Sequence, residues 1–395
     1  MEAHQDFYHH LAQTSPFPVG IEITHAKGSW LYGPENQRWL DLISGIGVNN
    51  IGHSHPHVIQ AIEEQIHKHM HVMVYGEFMQ APQTRFAKEL TSLLPKPLDM
   101  CYFVNSGTEA NEAAIKLAKR VTGRRELVSM HQSYHGSTNG SLSISGNPTK
   151  QTAFQPLLPE VKFIHFNSHQ DLKHITEKTA GVFVEVIQGD AGVRIADADY
   201  LKALRERCTE TGALLIIDEI QSGFGRTGEW FAFQHYDIIP DAITIGKAMA
   251  GGLAMGGLIA AKQHLMKFTE KPMLGHITTF GGHPVNCAAG IANLAVMHKE
   301  ISFEHVHQMG EHIKEELCSH SKVKAVRQLG LMLAIDLNHP SEVDQLVDYC
   351  IENGVIVYRF LSTAHAFRLA PPLNITLEEL NYGLKVIRTG LDQLA

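Results

Sequence analysis

The chain has 395 residues, of which 44% are apolar and 19% are charged. This length predicts two domains, or one large domain with a smaller partner, and the globular composition excludes extended disorder. The formal net charge of −8 argues against a nucleic-acid backbone or an anionic membrane as the main partner. The 26 histidines raise the question of a metal site, because neutral imidazole is a common metal ligand.

The cellular compartment is predicted from what the sequence lacks. The first twenty residues contain no basic segment followed by an apolar one, and no apolar run reaches the roughly 18 residues of a transmembrane helix. The five cysteines are widely spaced and form no CxxC pair, so neither a disulfide framework nor a structural zinc site is predicted. We therefore expect a cytoplasmic protein without a membrane partner.

Short β-branched segments alternate with helix-length segments between residues 51 and 289. This pattern predicts an open α/β sheet of mostly parallel strands that is covered on both faces. The predicted strands are 100–104, 126–130, 161–166, 181–187, 213–218 and 242–246.

The pattern changes from residue 290 onward and indicates a smaller α+β domain. Its predicted elements are a long helical stretch at 290–319, a strand at 331–337, a helix from Ser341 that ends at Gly354, a strand at 355–360 and a helix at 376–394. Residues 1–50 are predicted to form hairpin strands that join this small domain.

Residues 105–112, Asn-Ser-Gly-Thr-Glu-Ala-Asn-Glu, follow a predicted strand and begin an amphipathic helix. Free N–H groups at a helix start, with a glycine that permits close approach, could bind a phosphate at Ser106, Gly107 and Thr108. An ordinary capped helix explains the same residues, because capping motifs of this kind are common.

Two apolar strands end in residues that can carry chemistry, Asp218 with Glu219 and then Lys247. In open α/β sheets, the carboxyl ends of the strands border the ligand crevice. Asp218 could pair with a cationic ring nitrogen, hold a metal or cap the next element. Lys247 could form a Schiff base or be a surface lysine, and the glycines that follow it favour a bulky group packed against the backbone.

Two further motifs suggest other classes of protein. Residues 223–228 match GxGxxG, the signature of an NAD-dependent dehydrogenase, but an acid precedes the glycines instead of following them about 20 residues later. The histidines of 53–57, 67–71 and 131–135 could chelate a metal, yet their spacing places few of them on one face of a helix. We therefore predict no metal site.

The motifs SGTEANEAA, YHG, EVIQGDAG, LLIIDEIQSGFGRTG, IGKAMAGG, TTFGGHPVNCAA and FRLAPPL occur in this order. From about Trp30 to the C-terminus, the sequence resembles the class III aminotransferases. The resemblance implies a type I pyridoxal-phosphate transferase fold, pyridoxal 5′-phosphate as the cofactor, and a homodimer with shared active sites. It agrees with a large cofactor-binding domain at 51–289 and a small domain at 290–395.

The resemblance also implies a role for each motif residue. Lys247 would hold the cofactor as a Schiff base and move the substrate proton, and Asp218 would keep the pyridine nitrogen protonated. Tyr134 would stack on the ring and Gln221 would approach its phenolic oxygen. The other implied cofactor contacts are Ser106, Gly107, Thr108, His135, Glu185, Glu219, Ile220 and, in the neighbouring subunit's site, Thr279.

The implied substrate contacts depart from the family pattern. Arg368 resembles the arginine that binds a substrate α-carboxylate, and Thr278 would face the substrate. Asp190 stands where the acetylornithine, ornithine and 4-aminobutyrate branches carry a glutamate that masks this arginine. Ser137 replaces an arginine that those branches use for the distal carboxylate, which a hydroxyl cannot neutralise. We infer that the masking pair is kept and the distal contact is changed.

The sequence thus predicts ping-pong transamination from an ω-amino acid, such as acetylornithine or ornithine, to a 2-oxo acid, with both substrates small molecules. Ser137 leaves an ω-amino acid:pyruvate or 4-aminobutyrate aminotransferase open, since pyruvate has no distal carboxylate. An aminomutase of the glutamate-1-semialdehyde type is possible on the same fold, and a dehydrogenase is the alternative outside it.

Overall fold

The computed structural model describes residues 2–394 of the chain. Its strands in chain order are β1 (His25–Lys27), β2 (Trp30–Tyr32), β3 (Arg38–Asp41), β4 (Met100–Val104), β5 (Glu126–Met130), β6 (Val161–Ile164), β7 (Thr179–Val184), β8 (Ile187–Gln188), β9 (Arg194–Ile195), β10 (Leu214–Asp218), β11 (Ala242–Ile245), β12 (Gly256–Ala260), β13 (Ala325–Leu329), β14 (Met332–Asp336), β15 (Val355–Ile356), β16 (Tyr358–Arg359) and β17 (Ala366–Leu369).

The helices are α1 (Glu2–His10), α2 (Ser44–Gly47), α3 (Pro56–Ile66), α4 (Ala81–Ser92), α5 (Gly107–Thr122), α6 (Asn139–Ser143), α7 (Pro148–Gln151), α8 (Ala198–Thr211), α9 (Lys262–Leu265), α10 (Pro284–Glu300), α11 (Phe303–Cys318), α12 (Pro340–Glu352) and α13 (Leu377–Gln393). None of those within residues 2–394 combines the length and the apolar character needed to cross a bilayer.

The largest sheet has seven strands in the order β4-β12-β11-β10-β7-β5-β6. Strand β12 runs antiparallel to both of its neighbours, and the remaining pairs are parallel. Strands β5, β7 and β10 are buried along their whole length, as expected when helices cover both faces. The predicted α/β class with a mostly parallel sheet is therefore confirmed.

Strand β12 is the strand of the large sheet that the sequence pattern did not predict. Its sequence, Gly-Gly-Leu-Ile-Ala, begins with two glycines, which are poor strand formers. A side chain at Gly256 would overlap the backbone of Ser106, so glycine lets this strand pass directly beside the start of α5.

Further departures lie in the C-terminal part of the chain. The long predicted helix at 290–319 is divided into α10 and α11 where Ser302 caps the second helix. The predicted strand at 355–360 is divided into β15 and β16, which belong to two different sheets. Strands β13 and β17 were not predicted.

The N-terminal strands share a sheet with the C-terminal part of the chain. Strand β15 pairs in parallel with β3 in a four-stranded sheet of order β1-β2-β3-β15. A second four-stranded sheet has the order β13-β14-β17-β16 and carries Arg368 on β17. Helix α10 runs across residue 290 and packs against α3 and α4, which precede the large sheet in the chain.

Helix α5 brings its N-terminus to the edge of the large sheet where β10 and β11 end. It packs across β12, β11 and β7. Ala110, Ala113, Ala114 and Ala118 are buried on its inner face, and these small side chains allow a close approach to the strands. The helix start therefore lies next to the residues that follow the two strands.

Candidate active site

A cavity of about 300 Å³ lies at this edge of the sheet. It is lined by Ser106, Gly107, Thr108, Tyr134, His135, Gly136, Ser137, Glu185, Ile187, Asp218, Ile220, Gln221, Ser222 and Lys247. Most of the residues singled out in the sequence thus meet in one place. A larger depression of about 980 Å³, beside Pro95 and Arg205, contains none of them.

Asp218, the last residue of β10, is held by three hydrogen-bond donors. Its Oδ2 accepts from His135 Nδ1 at 2.7 Å and from Asn111 Nδ2 at 2.9 Å, and its Oδ1 accepts from the Ile220 N–H at 3.0 Å. The side chains of Asp218 and His135 are almost completely buried. Burial lowers the pKa of His135, whereas its hydrogen bond to Asp218 and the charges of Asp218 and Glu185 raise it, so the net shift is upward. This environment therefore favours the protonated form of His135.

Lys247 begins the turn directly after β11, with its side chain in the cavity. Its φ of 45° lies in the left-handed region, where a non-glycine residue stores strain that is typical of functional sites. Burial lowers the pKa of its amine, which the Asp218 carboxylate opposes. Among residues 2–394, no carboxylate lies within ion-pair distance of the Lys247 amine, so it can react with a ligand.

The start of α5 forms another wall of the cavity, where Gly107 lies beside Gly246. Ser106 caps the helix by accepting from the Glu109 N–H at 3.3 Å, and the first N–H groups belong to Gly107 and Thr108. The Glu112 carboxylate does not line the cavity, and it accepts from the N–H groups of Gly140 and Ser141 at 2.9 and 3.2 Å. Glu109, in the first turn, accepts from the Asn105 N–H and side-chain amide at 2.8 and 2.9 Å and does not line the cavity, so the N–H groups of Gly107 and Thr108 remain open to an anion.

The loop after β5 forms the wall that carries Tyr134. Gly136 has a φ of +128°, and a side chain there would overlap the Thr108 hydroxyl, so the close approach of loop and helix requires glycine. The Tyr134 hydroxyl lies 3.3 Å from Ser137 Oγ, at the more exposed side of the cavity. Tyr134 also donates its backbone N–H to Glu185 at 3.0 Å.

Two buried glutamates lie near the site but differ in role. Glu185 lines the cavity, and burial raises its pKa to about 7. Burial also raises the pKa of Glu219 to about 7, but this carboxylate turns away from the cavity. It accepts from Ser222 Oγ at 2.5 Å and from the N–H groups of Ala232 and Phe233. Glu219 thus anchors the 230–233 loop and does not line the cavity.

The predicted substrate residues lie partly outside this cavity. Arg368 Nη2 is 3.4 Å from Asp190 Oδ1, and both side chains are buried. Thr278 Oγ1 accepts from Asn105 Nδ2 at 2.8 Å and lines a separate cavity. Thr279 is exposed on the surface of its own chain. Neither threonine lines the 300 Å³ cavity of this chain.

The GxGxxG segment has a structural role. No long helix follows Gly228, and Arg226 within the segment is completely buried. Arg226 donates to the carbonyl groups of Leu331 and Pro371 at 2.9 and 2.6 Å and to Asn50 Oδ1 at 2.5 Å. The segment therefore ties distant parts of the chain together, and the dinucleotide hypothesis is wrong because the strand–turn–helix context is missing.

Individual histidines contact another ring or a carboxylate. The rings of His131 and His165 are tilted toward each other, with centroids 4.6 Å apart, whereas His135 binds Asp218. Across residues 2–394, no group of three or more His, Cys, Asp or Glu side chains is arranged to hold a metal ion.

Several residues of the site were not predicted from the sequence: Gly136, Ile187 and Ser222 line the cavity, and Asn111 and Lys150 lie behind its lining. Asn111 could have been found, because it lies four positions after Gly107 and therefore on the same face of α5. Lys150 binds Asp190 at 2.8 Å. No sequence motif around it indicates a site residue, because it lies in the short helix α7 within a polar loop.

The sheet order, with a lysine and an aspartate at the ends of neighbouring strands and a helix start facing both, defines a fold type I aminotransferase. The family model described as Aminotransferase class-III matches residues 12–391. The chain belongs to this family, whose members depend on pyridoxal phosphate, and it is a transferase as predicted.

The chain is similar to several characterised proteins. It is 38% identical over 369 residues to the acetylornithine aminotransferase of Archaeoglobus fulgidus, which covers 93% of this chain and 94% of the relative. It is 35% identical over 377 residues to the LysW-aminoadipate semialdehyde/glutamate semialdehyde transaminase of Sulfolobus acidocaldarius, with 94% and 95% covered. The crystal structure of a transaminase from the marine bacterium Virgibacillus superposes with a TM-score of 0.92 at 26% identity, over 100% of this chain and 99% of that chain.

Proposed function

We propose that the chain binds pyridoxal 5′-phosphate in the 300 Å³ cavity and transfers the amino group of an ω-amino acid, of the acetylornithine or ornithine type, to a 2-oxo acid. The observation that carries the proposal is the Lys247 amine in one cavity with the buried Asp218 carboxylate and the start of α5. Several relatives named acetylornithine aminotransferase, each similar over more than nine-tenths of this chain, support the substrate class.

The cavity has a suitable group for each part of the cofactor. The N–H groups of Gly107 and Thr108, at the positive end of α5, would bind the phosphate. The Tyr134 ring would stack on the pyridine ring, and the Gln221 side chain would approach the phenolic oxygen. The amine of Lys247, which lines the cavity, is the group that would bind the aldehyde carbon.

Asp218 would hold a proton on the pyridine nitrogen. When bound, the cofactor supplies an electron sink for the electrons released at the substrate carbon that carries the reacting amino group. The hydrogen bonds from His135 and Asn111 fix the orientation of the Asp218 carboxylate. A fixed, ionised carboxylate in a water-poor cavity interacts strongly with a cationic ring nitrogen.

Lys247 would carry the proton of the substrate. Burial lowers the pKa of its amine, which increases the fraction of neutral amine that can accept a proton near neutral pH. The strained turn at Lys247 fixes the position of its Cα at the end of β11. The lysine can therefore return the proton on the same side of the substrate from which it was taken.

We also infer a homodimer with shared sites. Thr279 is exposed, and exposed apolar side chains surround it in the chain at Met273, Leu274, Ile277 and Phe280. Such a concentration of exposed apolar surface is typical of a protein interface. In a dimer, this segment would bring Thr279 to the phosphate in the partner's cavity and Thr278 toward the substrate.

The proposal is tested by spectroscopy on purified protein incubated with pyridoxal phosphate. The yellow absorbance of the lysine-bound cofactor should form, borohydride should bleach it, and Lys247→Ala should lack it. Lys262→Ala, an exposed lysine at the start of α9, is the matched control. Colour and amine turnover that persist in Lys247→Ala would refute the proposal.

The donor and acceptor are then identified by single half-reactions. Acetylornithine, ornithine, 4-aminobutyrate, β-alanine and glutamate are each mixed with the loaded enzyme, and the loss of yellow absorbance is followed. An ω-amino acid should react fastest, and the enzyme should recover its colour only with an added 2-oxo acid. Recovery without an acceptor would instead indicate an aminomutase.

Ser137 favours one alternative, an ω-amino acid:pyruvate aminotransferase. Ser137 lines the cavity where the resemblance implies an arginine, and its hydroxyl lies beside Tyr134. A hydroxyl does not neutralise the charge of the distal carboxylate of 2-oxoglutarate, and pyruvate has no such group. Pyruvate should therefore compete well with 2-oxoglutarate as the acceptor. A preference for 2-oxoglutarate by more than tenfold would argue against this alternative.

A further inference from the structure

Four donors share the carboxylate of Asp190, and Arg368 makes the longest contact. Lys150 Nζ and Ser362 Oγ donate to Oδ2 at 2.8 and 2.5 Å. The Leu361 N–H donates to Oδ1 at 3.0 Å, whereas Arg368 Nη2 is 3.4 Å from Oδ1. We call these five residues the Asp190 cluster. Asp190 is therefore anchored mainly by groups other than the arginine that it was expected to mask.

The Asp190 cluster contains two cations and one carboxylate, so one positive charge is not compensated. The shorter contact of Lys150 assigns most of the pairing to the lysine. Arg368 is left poorly bound, because its Nε is buried without a hydrogen-bond partner among residues 2–394. Its guanidinium lies over the Phe360 ring, 4.3 Å from the centroid, which keeps the group in place.

Lys150 is held where it can compete for Asp190. Its Nζ lies 5.2 Å from the centroid of the Tyr134 ring, which lines the proposed cofactor cavity. Asn147 caps α7, the helix that carries Lys150, and also donates to Ser362 Oγ at 3.0 Å. The lysine, the serine and the carboxylate are therefore joined across the loops that surround the substrate side of the cavity.

We propose that Lys150 is a specificity-determining residue that competes with Arg368 for the Asp190 carboxylate and so makes Arg368 easier for a substrate carboxylate to bind. The inference rests on the proposed function and deepens it. An arginine that is masked for most of the time binds carboxylates with an affinity reduced by the unmasked fraction. With Lys150 present, Asp190 makes only the 3.4 Å contact with Arg368, which favours the 2-oxo acid acceptor, whose carboxylate lies next to the reacting carbon.

The proposal is tested by Lys150→Met, which removes the charge and keeps the length of the side chain. Asp190 should then pair closely with Arg368, masking it about nine-tenths of the time and weakening the apparent affinity for pyruvate about tenfold. A donor without a carboxylate, 1-propylamine, should react at a rate within twofold of the wild type. Lys162→Met is the control, because Lys162 pairs with the buried Glu126 at 2.6 Å on the outer strand β6.

A second substitution separates this role from direct substrate binding. In Lys150→Met/Asp190→Asn the masking charge is gone, so the affinity for pyruvate should recover to within about threefold of the wild type. If the affinity for pyruvate does not recover in the double variant, Lys150 binds the substrate itself. If the affinity is unchanged in Lys150→Met alone, Lys150 has no role in controlling Arg368. Either result overturns the proposal.

A crystal structure of Lys150→Met provides a readout that does not depend on activity. The Asp190–Arg368 contact should shorten from 3.4 Å to a two-point pair, and an unchanged contact would contradict the proposal. Failure of the proposed function looks different, because the wild type would then show no change of absorbance with any amine, including 1-propylamine.

Discussion

The buried pair of His135 and Asp218 gives a quantitative prediction about stability. His135→Phe keeps an aromatic ring of similar volume and removes the hydrogen bond to Asp218 Oδ2, which measures 2.7 Å. The carboxylate would still accept from Asn111 Nδ2 and from the Ile220 N–H, so it would not become an isolated charge. The substitution therefore isolates one charge-assisted hydrogen bond.

The expected loss follows from the burial of both partners. A hydrogen bond between charged groups contributes about 1.5–3 kcal/mol, and the near-complete burial of this pair prevents water from replacing it. The two remaining donors reduce the free energy lost when Asp218 loses its contact with His135. We therefore expect His135→Phe to lower the free energy of unfolding by about 2 kcal/mol.

The sign of the pH dependence follows from the raised pKa of His135. In the unfolded chain this histidine has a pKa of about 6.5, and in the folded protein it holds its proton to higher pH. The stability that it contributes is complete below about pH 6.5 and is lost as the pH rises through the folded-state value. His135→Phe should therefore destabilise the protein more at pH 6 than at pH 9.

The measurement is urea unfolding of the cofactor-free protein at both pH values and at one protein concentration, since association changes the apparent stability. His131→Phe is the matched control, because burial lowers the pKa of His131 and the pH dependence should have the opposite sign. Equal losses at pH 6 and pH 9 for His135→Phe, or no loss at either, would refute the ionic pair.

Three further predictions concern the surroundings of the site. Arg226→Met should lower the free energy of unfolding, measured in urea titrations, by about 3 kcal/mol. The substitution leaves two carbonyl groups and the Asn50 amide oxygen without their buried donor. A decrease below about 1 kcal/mol would contradict this prediction. Gly136→Ala, at a φ of +128°, should destabilise the protein by at least about 1 kcal/mol and weaken cofactor binding, as measured by thermal unfolding with and without pyridoxal phosphate. Thr279→Ala should raise the Kd for pyridoxal phosphate about tenfold in a spectroscopic titration, whereas the exposed Thr269→Ala should not, and equal effects would exclude a contact across the dimer.

Much of the proposed cofactor site is predictable because it is built from the ends of continuous segments. Asp218 and Lys247 directly follow apolar runs that form buried strands, and Ser106 to Thr108 directly precede a helix. Parallel strands bring their carboxyl ends to one edge, so a polar residue at the end of each strand is placed beside the others. The substrate side is less predictable, because Asp190, Lys150 and Arg368 lie in short loops and in a different sheet.

The sequence by itself determined six of the seven strands of the large sheet, the family and the positions of the lysine and the aspartate, because each depends on local patterning of neighbouring residues. Only the tertiary structure decided that β12 enters this sheet and which side chains bind Asp218. Asn111 is 107 positions away from Asp218, and His135 is 83 positions away from it. Such contacts depend on how helices and loops pack over the sheet. A short segment of sequence does not indicate which residues far along the chain will pack against it. Packing likewise joined Asp190 to Lys150, 40 positions away, where the family pattern indicated only Arg368.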